Sequence, residues 1–172
     1  MGTEDNESFT AFVTAQQAGL LRLAVLLAGD RGHAEDLVQV ALMKTYRHWV
    51  RISRSGPPTA YVRRVLVTTH TSWRRRLSTA EQVMETLPDR VDPSPAPGEE
   101  DEELRRALRA LPPRMRTAIV LRYFEDLSEQ GTAALMGCSA STVNTQTARG
   151  LARLRTSLGG PAIYDSVRED QW

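Results

Sequence analysis

The chain has 172 residues, 41% of them hydrophobic, with a formal net charge of +1, a length that holds one domain or two small ones with compact cores. Its single cysteine, Cys138, excludes an internal disulfide, and with three scattered histidines argues against a Cys/His metal site, so no metal and no cofactor is expected. No run approaches the ~18 to 20 apolar residues that span a bilayer, and the N-terminal MGTEDNES is acidic where a secretory signal is basic and then apolar, so a cytoplasmic chain without membrane insertion is expected.

The apolar residues recur at helical spacing and no period-2 strand pattern stands out, so the fold class is all-α. Phe9, Phe12, Val13, Leu20, Leu23, Ala24 and Leu27 mark a first helix ending near Gly29, with a turn beginning at Asp30. A second helix is expected from His33 to about Arg51, with Leu37, Val38, Ala41, Leu42, Tyr46 and Trp49 on its apolar side. SRSGPP breaks the pattern, and Pro58 suits the start of a third helix, where its missing N–H costs nothing. In that helix Val62, Val65, Leu66, Thr69 and Trp73 form an inward stripe, while Arg64, Thr68, Thr71 and Arg75 fall on one exposed face. Arginines and hydroxyls on such a face suit phosphates and base edges.

VDPSPAPGEE, with three prolines and a glycine, cannot continue a helix and lacks the apolar groups for a core. The expected division is a domain over 1–80, a linker over 81–101, a second domain over 102–160 and a tail over 161–172. Beyond the break, Leu104, Ala107, Leu108 and Leu111 mark a helix stopped by Pro112 and Pro113, and Met115 to Phe124 marks another. Ser128 is placed to cap a short helix through Met136, Gly137 to take the left-handed turn, and Ser139 to cap a longer helix. Val143, Thr147, Gly150, Leu151, Leu154 and Leu158 line that helix's inner side. This is a helix-turn-helix pattern, in which Ser141, Thr142, Asn144 and Thr145 are offered to base edges in a major groove and Arg149 and Arg153 to phosphates. A plain helical hairpin has the same pattern.

Charge is laid out in blocks. From Leu37 to Ala80 there are nine basic residues and no acid; from Glu81 to Glu103, nine acids and only Arg90; from Leu104 to Leu158, nine arginines against Glu125, Asp126 and Glu129. Two basic bodies joined by an acidic strap suit an extended polyanion, because each phosphate contact releases counterions. Ordinary solvated faces are the competing account of each block. An enzyme is not expected: Cys138 has no histidine nearby to activate it, and the carboxylates form no recognisable acid/base pair.

AEDLVQVALMKTY at Ala34–Tyr46 resembles the region 2.2 signature of extracytoplasmic-function (group 4) sigma factors of bacterial RNA polymerase, and LPPRMRTAIVLRYFEDLS at Leu111–Ser128 resembles the entry to their region 4. YVRRVLVTTHTSW resembles a subgroup common in high-GC bacteria, which a sole lysine, Lys44, among 22 basic residues also fits. The resemblance implies that Glu35, Asp36, Gln39 and Lys44 dock on the clamp helices of the polymerase largest subunit, with further polymerase contact at the flap. It implies that Ser53 to Pro57, Ser53 and Arg54 included, form the segment that captures a flipped base of the -10 element. Trp49 and Tyr61 are candidates to stack on exposed bases, with a buried core role as the alternative. Arg63, Arg64, Thr68, Thr71, Arg74 and Arg75 would track the -10 DNA, and the helix-turn-helix would read the -35 element with Arg114 and Arg116 on its backbone. An anti-sigma factor is a further partner that the resemblance allows.

The chain departs from the pattern at several positions. Thr68 stands where region 2 usually has Asn; Gly131 and Thr132 replace a Glu-Ile pair; Asn144 and Gln146 stand where many relatives carry Lys and Arg. A glycine inside the short helix weakens it by about 1 kcal/mol. Two rival readings stay open on sequence: a stand-alone helix-turn-helix regulator, and a degenerate sigma-like interaction protein.

Overall fold

The structure, a computed structural model, describes residues 2–81 and 99–159. The regular elements among those residues are all helical, and the chain divides into two compact units, Met1–Asp92 and Pro93–Trp172. The segment expected as a linker lies mostly outside the described residues, as does the expected tail over 161–172.

The first unit contains α1 (Thr3–Ala28), α2 (Arg31–Tyr46), α3 (Trp49–Ser55) and α4 (Pro58–Glu81). Local chemistry sets their ends. Gly2 N–H donates to Asp5 Oδ2 at 3.0 Å at the start of α1, and Gly29, at φ 87°, ends it in the left-handed conformation that glycine adopts without a Cβ penalty. Asp30 caps α2, its Oδ1 accepting from His33 N–H at 2.9 Å. Leu20, Leu23, Ala24 and Leu27 of α1, Ala34, Leu37, Val38 and Ala41 of α2, and Val62, Leu66 and Val67 of α4 form the buried core. By length and composition α1 is apolar enough to cross a membrane, which corrects the expectation that no segment is; here its C-terminal half supplies one wall of that core.

The single helix expected over residues 33–51 is two. α2 ends at Tyr46, His48 N–H turns back to Thr45 O at 3.0 Å, and α3 starts at Trp49. Each i+4 step advances about 40° around a helix of 3.6 residues per turn, so a straight helix would carry Trp49 away from the buried line of Ala41 and Thr45. The turn offsets that drift and drives the indole between Phe9 and Phe12, at ring-centroid distances of 5.1 and 5.0 Å.

The second unit contains α5 (Glu99–Arg109), α6 (Pro113–Ile119), a π turn (Val120–Phe124), α7 (Glu129–Met136) and α8 (Ala140–Leu158). α5 starts at Glu99, inside the expected linker. The expected helix over 115–124 begins earlier, at Pro113, and its last five residues widen into the π turn, where Glu125 N–H reaches Val120 O at 3.1 Å. Asp126 then takes φ 51°, and the Arg122 guanidinium donates to Leu127 O across the reversal. α7 is capped by Ser128, whose Oγ accepts from Gly131 N–H at 2.9 Å. Gly137 at φ 64° ends it, and Ser139 Oγ caps α8 by accepting from Thr142 N–H at 3.1 Å. α8 packs on α5, α6 and α7, with Val143, Thr147, Gly150 and Leu154 buried. A Cβ added at Gly150 would lie 2.5 Å from Ile119 Cδ1, so a larger residue there would require the end of the Ile119 side chain to move.

Two hydroxyls in this core, Thr132 Oγ1 and Thr147 Oγ1, are buried without a hydrogen-bond partner. A buried unsatisfied donor costs ~1–3 kcal/mol. Thr132→Val, which keeps the shape and removes the hydroxyl, is expected to stabilise the second unit by about 1 kcal/mol or more; a thermal melt that moves up by several degrees bears this out, and one that moves down refutes it.

Candidate nucleic-acid interface

α4 divides its residues as the spacing requires. Val62, Leu66, Val67, Thr69 and His70 are buried, Arg64, Thr68 and Arg75 are exposed, and Arg63, Thr71 and Arg74 are half-buried. The Arg63 guanidinium lies over Gly19 of α1, where an added Cβ would be 4.0 Å from its Nη2. The hydroxyls do not act as donors on this face: Thr68 Oγ1 donates to Arg64 O at 2.9 Å, and Thr71 Oγ1 to Val67 O at 2.9 Å. A hydroxyl has one proton, so these threonines present lone pairs and methyl groups. Of the residues expected on this face of α4, the candidate phosphate donors are therefore the arginines.

α3 corrects the expected capture loop. Ser53 and Arg54 sit on the last turn of this helix, and the loop itself shrinks to Gly56 and Pro57. Ser53 Oγ donates to Val50 O at 3.3 Å and Ser55 Oγ to Arg51 O at 2.6 Å, so both hydroxyls are turned into the helix. Trp49, only 3% exposed, is a core residue and is withdrawn from the candidates for base stacking; Tyr61 is half-buried. Arg54 and Ser55 of the expected segment, together with Arg47, His48, Val50 and Arg51 outside it, line an open groove of 480 Å³. The acid-free run from Leu37 to Ala80 was the sequence signal for it.

On α2, Glu35, Asp36 and Gln39 are exposed on one side. Arg31 Nε donates to Glu35 Oε1 at 2.8 Å. Lys44 is tied across to α4, its Nζ donating to Thr69 Oγ1 at 3.0 Å. This hydrogen bond gives the buried Thr69 hydroxyl a partner and joins Lys44 to the packing of α2 on α4.

In the second unit the exposed residues of α8 include Ser141, Asn144, Thr145, Ala148, Arg149 and Arg153, an i, i+3, i+4, i+7, i+8, i+12 face. Thr145 Oγ1 donates to Ser141 O at 3.1 Å, and Thr142 is half-buried in the cap, its Oγ1 2.9 Å from Ser139 Oγ. Asn144 keeps an exposed amide that offers both donor and acceptor. Arg114, at the start of α6, is exposed with Arg149 and Arg153. Arg116 is not: it is 6% exposed and its Nη1 donates to Arg109 O at 3.2 Å. Burial behind α5 corrects its expected role on DNA to a structural one, tying α6 to the end of α5.

Two family models match the chain, sigma-70 region 2 over residues 12–79 and sigma-70 region 4 over residues 101–154. RNA polymerase sigma-E factor of Streptomyces avermitilis is 40% identical over 151 residues, covering 87% of this chain and 84% of its own length. The chain belongs to the sigma-70 family. Among further relatives, the ECF RNA polymerase sigma factor SigE of Mycolicibacterium smegmatis is 31% identical over 147 residues, 80% of this chain and 56% of that protein. Among solved structures, the sigma factor RpoE of Bartonella quintana, in a co-crystal with the anti-sigma factor NepR, matches with a TM-score of 0.65 at 22% identity, covering 89% of this chain and 98% of that one. That likeness carries the fold.

This sigma factor is of the extracytoplasmic-function type and is a non-enzymatic subunit of the transcription machinery. Its region 2 and region 4 fall in the first and second units. The placement of Trp49 has a direct consequence: Trp49→Ala removes the centre of the Phe9, Phe12 and Trp49 cluster and should cost about 3–5 kcal/mol of first-unit stability. Chemical denaturation followed by circular dichroism reads this; an unchanged midpoint would return Trp49 to a role at the surface.

Proposed function

We propose that this sigma factor docks on core RNA polymerase through the exposed side of α2 and contacts promoter DNA through α4, α3 and α8. The observation that carries the reading is the presence, in one chain, of a region 2 unit and a region 4 unit that each display a basic face. On those faces Arg64 and Arg74 of α4, and Arg114, Arg149 and Arg153 of the second unit, have no acidic partner among the described residues. Glu35, Asp36 and Gln39 are the surface for the clamp helices, with Lys44 a positioning residue that holds α2 on α4; the second unit meets the flap. Arg63, Arg64, Arg74 and Arg75 bind -10 phosphates, Thr68 and Thr71 accept from base donors, and Tyr61 and Arg54 border the melted segment. The protein works in the cytoplasm beside the polymerase, without membrane insertion, and an anti-sigma partner of the kind seen with RpoE of Bartonella quintana is consistent with the exposed surfaces of the first unit.

Asp36→Arg reverses charge on an exposed residue and leaves the core of α2 intact. It should abolish binding to core polymerase with an unchanged circular dichroism spectrum, and full run-off transcription by that variant would exclude this docking surface.

At the -35 element, Ser141, Asn144 and Thr145 are the base readers and Arg114, Arg149 and Arg153 the phosphate contacts, with Thr142 holding the cap. An amide pairs in bidentate fashion with adenine N6 and N7. Asn144→Ala should erase a preference for adenine at one position, a loss of about 1–3 kcal/mol in discrimination, measured by transcription from a library of promoters randomised at -35; a selected sequence identical to the wild type would rule Asn144 out as a reader.

A further inference from the structure

α1 is more apolar than its place in the first unit accounts for. It holds a stretch apolar enough to cross a membrane, yet only 22% of that stretch is buried, and the buried residues, Leu20, Leu23, Ala24 and Leu27, take one side of the helix. At about 100° per residue the opposite side carries Glu7, Ala11, Thr14, Ala15, Ala18 and Arg22, all exposed. Thr14 Oγ1 donates to Thr10 O at 2.9 Å, so this hydroxyl spends its proton inside the helix and the centre of the face offers no side-chain donor. The open space of 660 Å³ along the N-terminal half of this helix is bordered by α1 residues alone, so among the described residues no other element covers it.

The charges at the two ends select what covers this face. Glu7 and Arg22 stand about 22 Å apart along the helix, and among the described residues neither forms an ion pair. Arg22 has a like charge beside it, since a Cβ added at Gly19 would lie 3.9 Å from Arg22 Nη2 and 4.0 Å from Arg63 Nη2. An acid brought from outside relieves that crowding. A second α1 laid antiparallel, with a twofold axis between Thr14 and Ala15, brings that acid to both ends: in this register Glu7 meets Arg22, Ala11 meets Ala18 and Thr14 meets Ala15 of the second copy. A parallel pair would set Glu7 against Glu7 and Arg22 against Arg22. The small side chains at the centre let the two axes approach to about 8 Å, and a twofold pair is closed, so association stops at two copies. We propose that α1 pairs antiparallel with α1 of a second copy of this chain, with Glu7 facing Arg22 of the second copy at each end of the interface. A single helix pair falls short of the ~800 Å² per partner of a standard stable interface, so the dimer is reversible, with a dissociation constant on the order of 10–100 µM. The inference is independent of the promoter-binding reading above.

The test is sedimentation equilibrium of the full chain between about 5 and about 500 µM, a range that brackets that constant. The weight-average mass should rise with concentration from 19.2 kDa toward twice that value, and the rise should shrink in about 0.5 M salt, where exposed ion pairs are screened. Each pair occurs twice by symmetry, so Glu7→Arg or Arg22→Glu replaces two attractions with two repulsions and should weaken the dimer roughly 10- to 30-fold. The double variant Glu7→Arg/Arg22→Glu restores both pairs with their signs exchanged and should return to within about threefold of the wild type. Thermal melts equal to the wild type show that the variants are folded. A chain that stays monomeric throughout the range overturns the proposal. So do single reversals that leave the association unchanged, which would place it on another surface, and so does a double variant as weak as the single ones, in which Glu7 and Arg22 do not face each other. Flotation with phosphatidylcholine vesicles is run alongside: vesicle binding by a wild-type chain that does not self-associate, abolished in Ala11→Glu/Ala18→Glu, would make this face of α1 a membrane surface and sink the dimer.

Discussion

The close approach of α8 to α6 fixes what the second unit can present. Gly150 faces α6, with the end of the Ile119 side chain where a Cβ would be. Once that contact sets the rotation of α8, Val143, Thr147 and Leu154 must point inward, and Ser141, Asn144, Thr145, Arg149 and Arg153 must point out. The caps then set where the helix begins: Ser139 starts α8 one turn before Asn144, and Gly137 reverses the chain so that α7 packs back on α8. The exposed face of α8 is thus a consequence of packing. The first unit obeys the same logic through Trp49, whose burial against Phe9 and Phe12 orients α3 and turns its arginines outward.

Hydroxyls decide the chemistry of these faces as much as charge does. Ser53, Ser55, Thr68, Thr71 and Thr145 each donate to a carbonyl three or four residues back. Such back-bonding is common for Ser and Thr within helices, and it spends the only proton the side chain has. Anion binding falls to guanidiniums, and the uncharged recognition falls to groups that accept or, as at Asn144, do both. Thr132 and Thr147 are the opposite case, buried hydroxyls for which the packing supplies no acceptor. They replace what an aliphatic residue of the same shape would do at no desolvation cost, and they weaken the very helix pair that holds α8 in place.

Most of the fold was legible because amphipathic spacing and caps are local signals. Ser128, Gly137 and Ser139 act in the structure as the sequence pattern requires, and Gly131, suspect as a helix breaker, sits in the first turn of α7, where a Cβ would lie 3.1 Å from the capping Ser128 Oγ. What was not legible was tertiary. The break at Arg47 and His48 contains no glycine or proline; it arises because Trp49 gains more by entering the Phe9 and Phe12 cluster than by extending α2. The π turn has the same origin: Val120 and Leu121 are fully buried and carry the chain toward α7. Arg116 reads in sequence as one more surface cation, and only its placement beneath the Arg109 carbonyl reveals a capping role. Arg47 and Arg51 were missed for the converse reason, since they are separated from the α4 set by a proline turn and join no single periodic face, whereas Arg54 was expected.

A small number of contacts per unit has a consequence for how the protein must work. Each phosphate neutralised contributes through released counterions, and that contribution shrinks as salt rises. Three exposed arginines on the proposed -35 face, Arg114, Arg149 and Arg153, and a comparable set on the first unit would give each face modest, salt-sensitive affinity by itself. Joining two such faces in one chain turns the second binding event into an intramolecular one, whose strength depends on whether the geometry lets both engage at once. Under the proposed function, a sigma factor built this way gains its promoter affinity when polymerase fixes that geometry, and the α2 surface proposed for docking is then as much a determinant of DNA binding as the arginines proposed to touch the DNA.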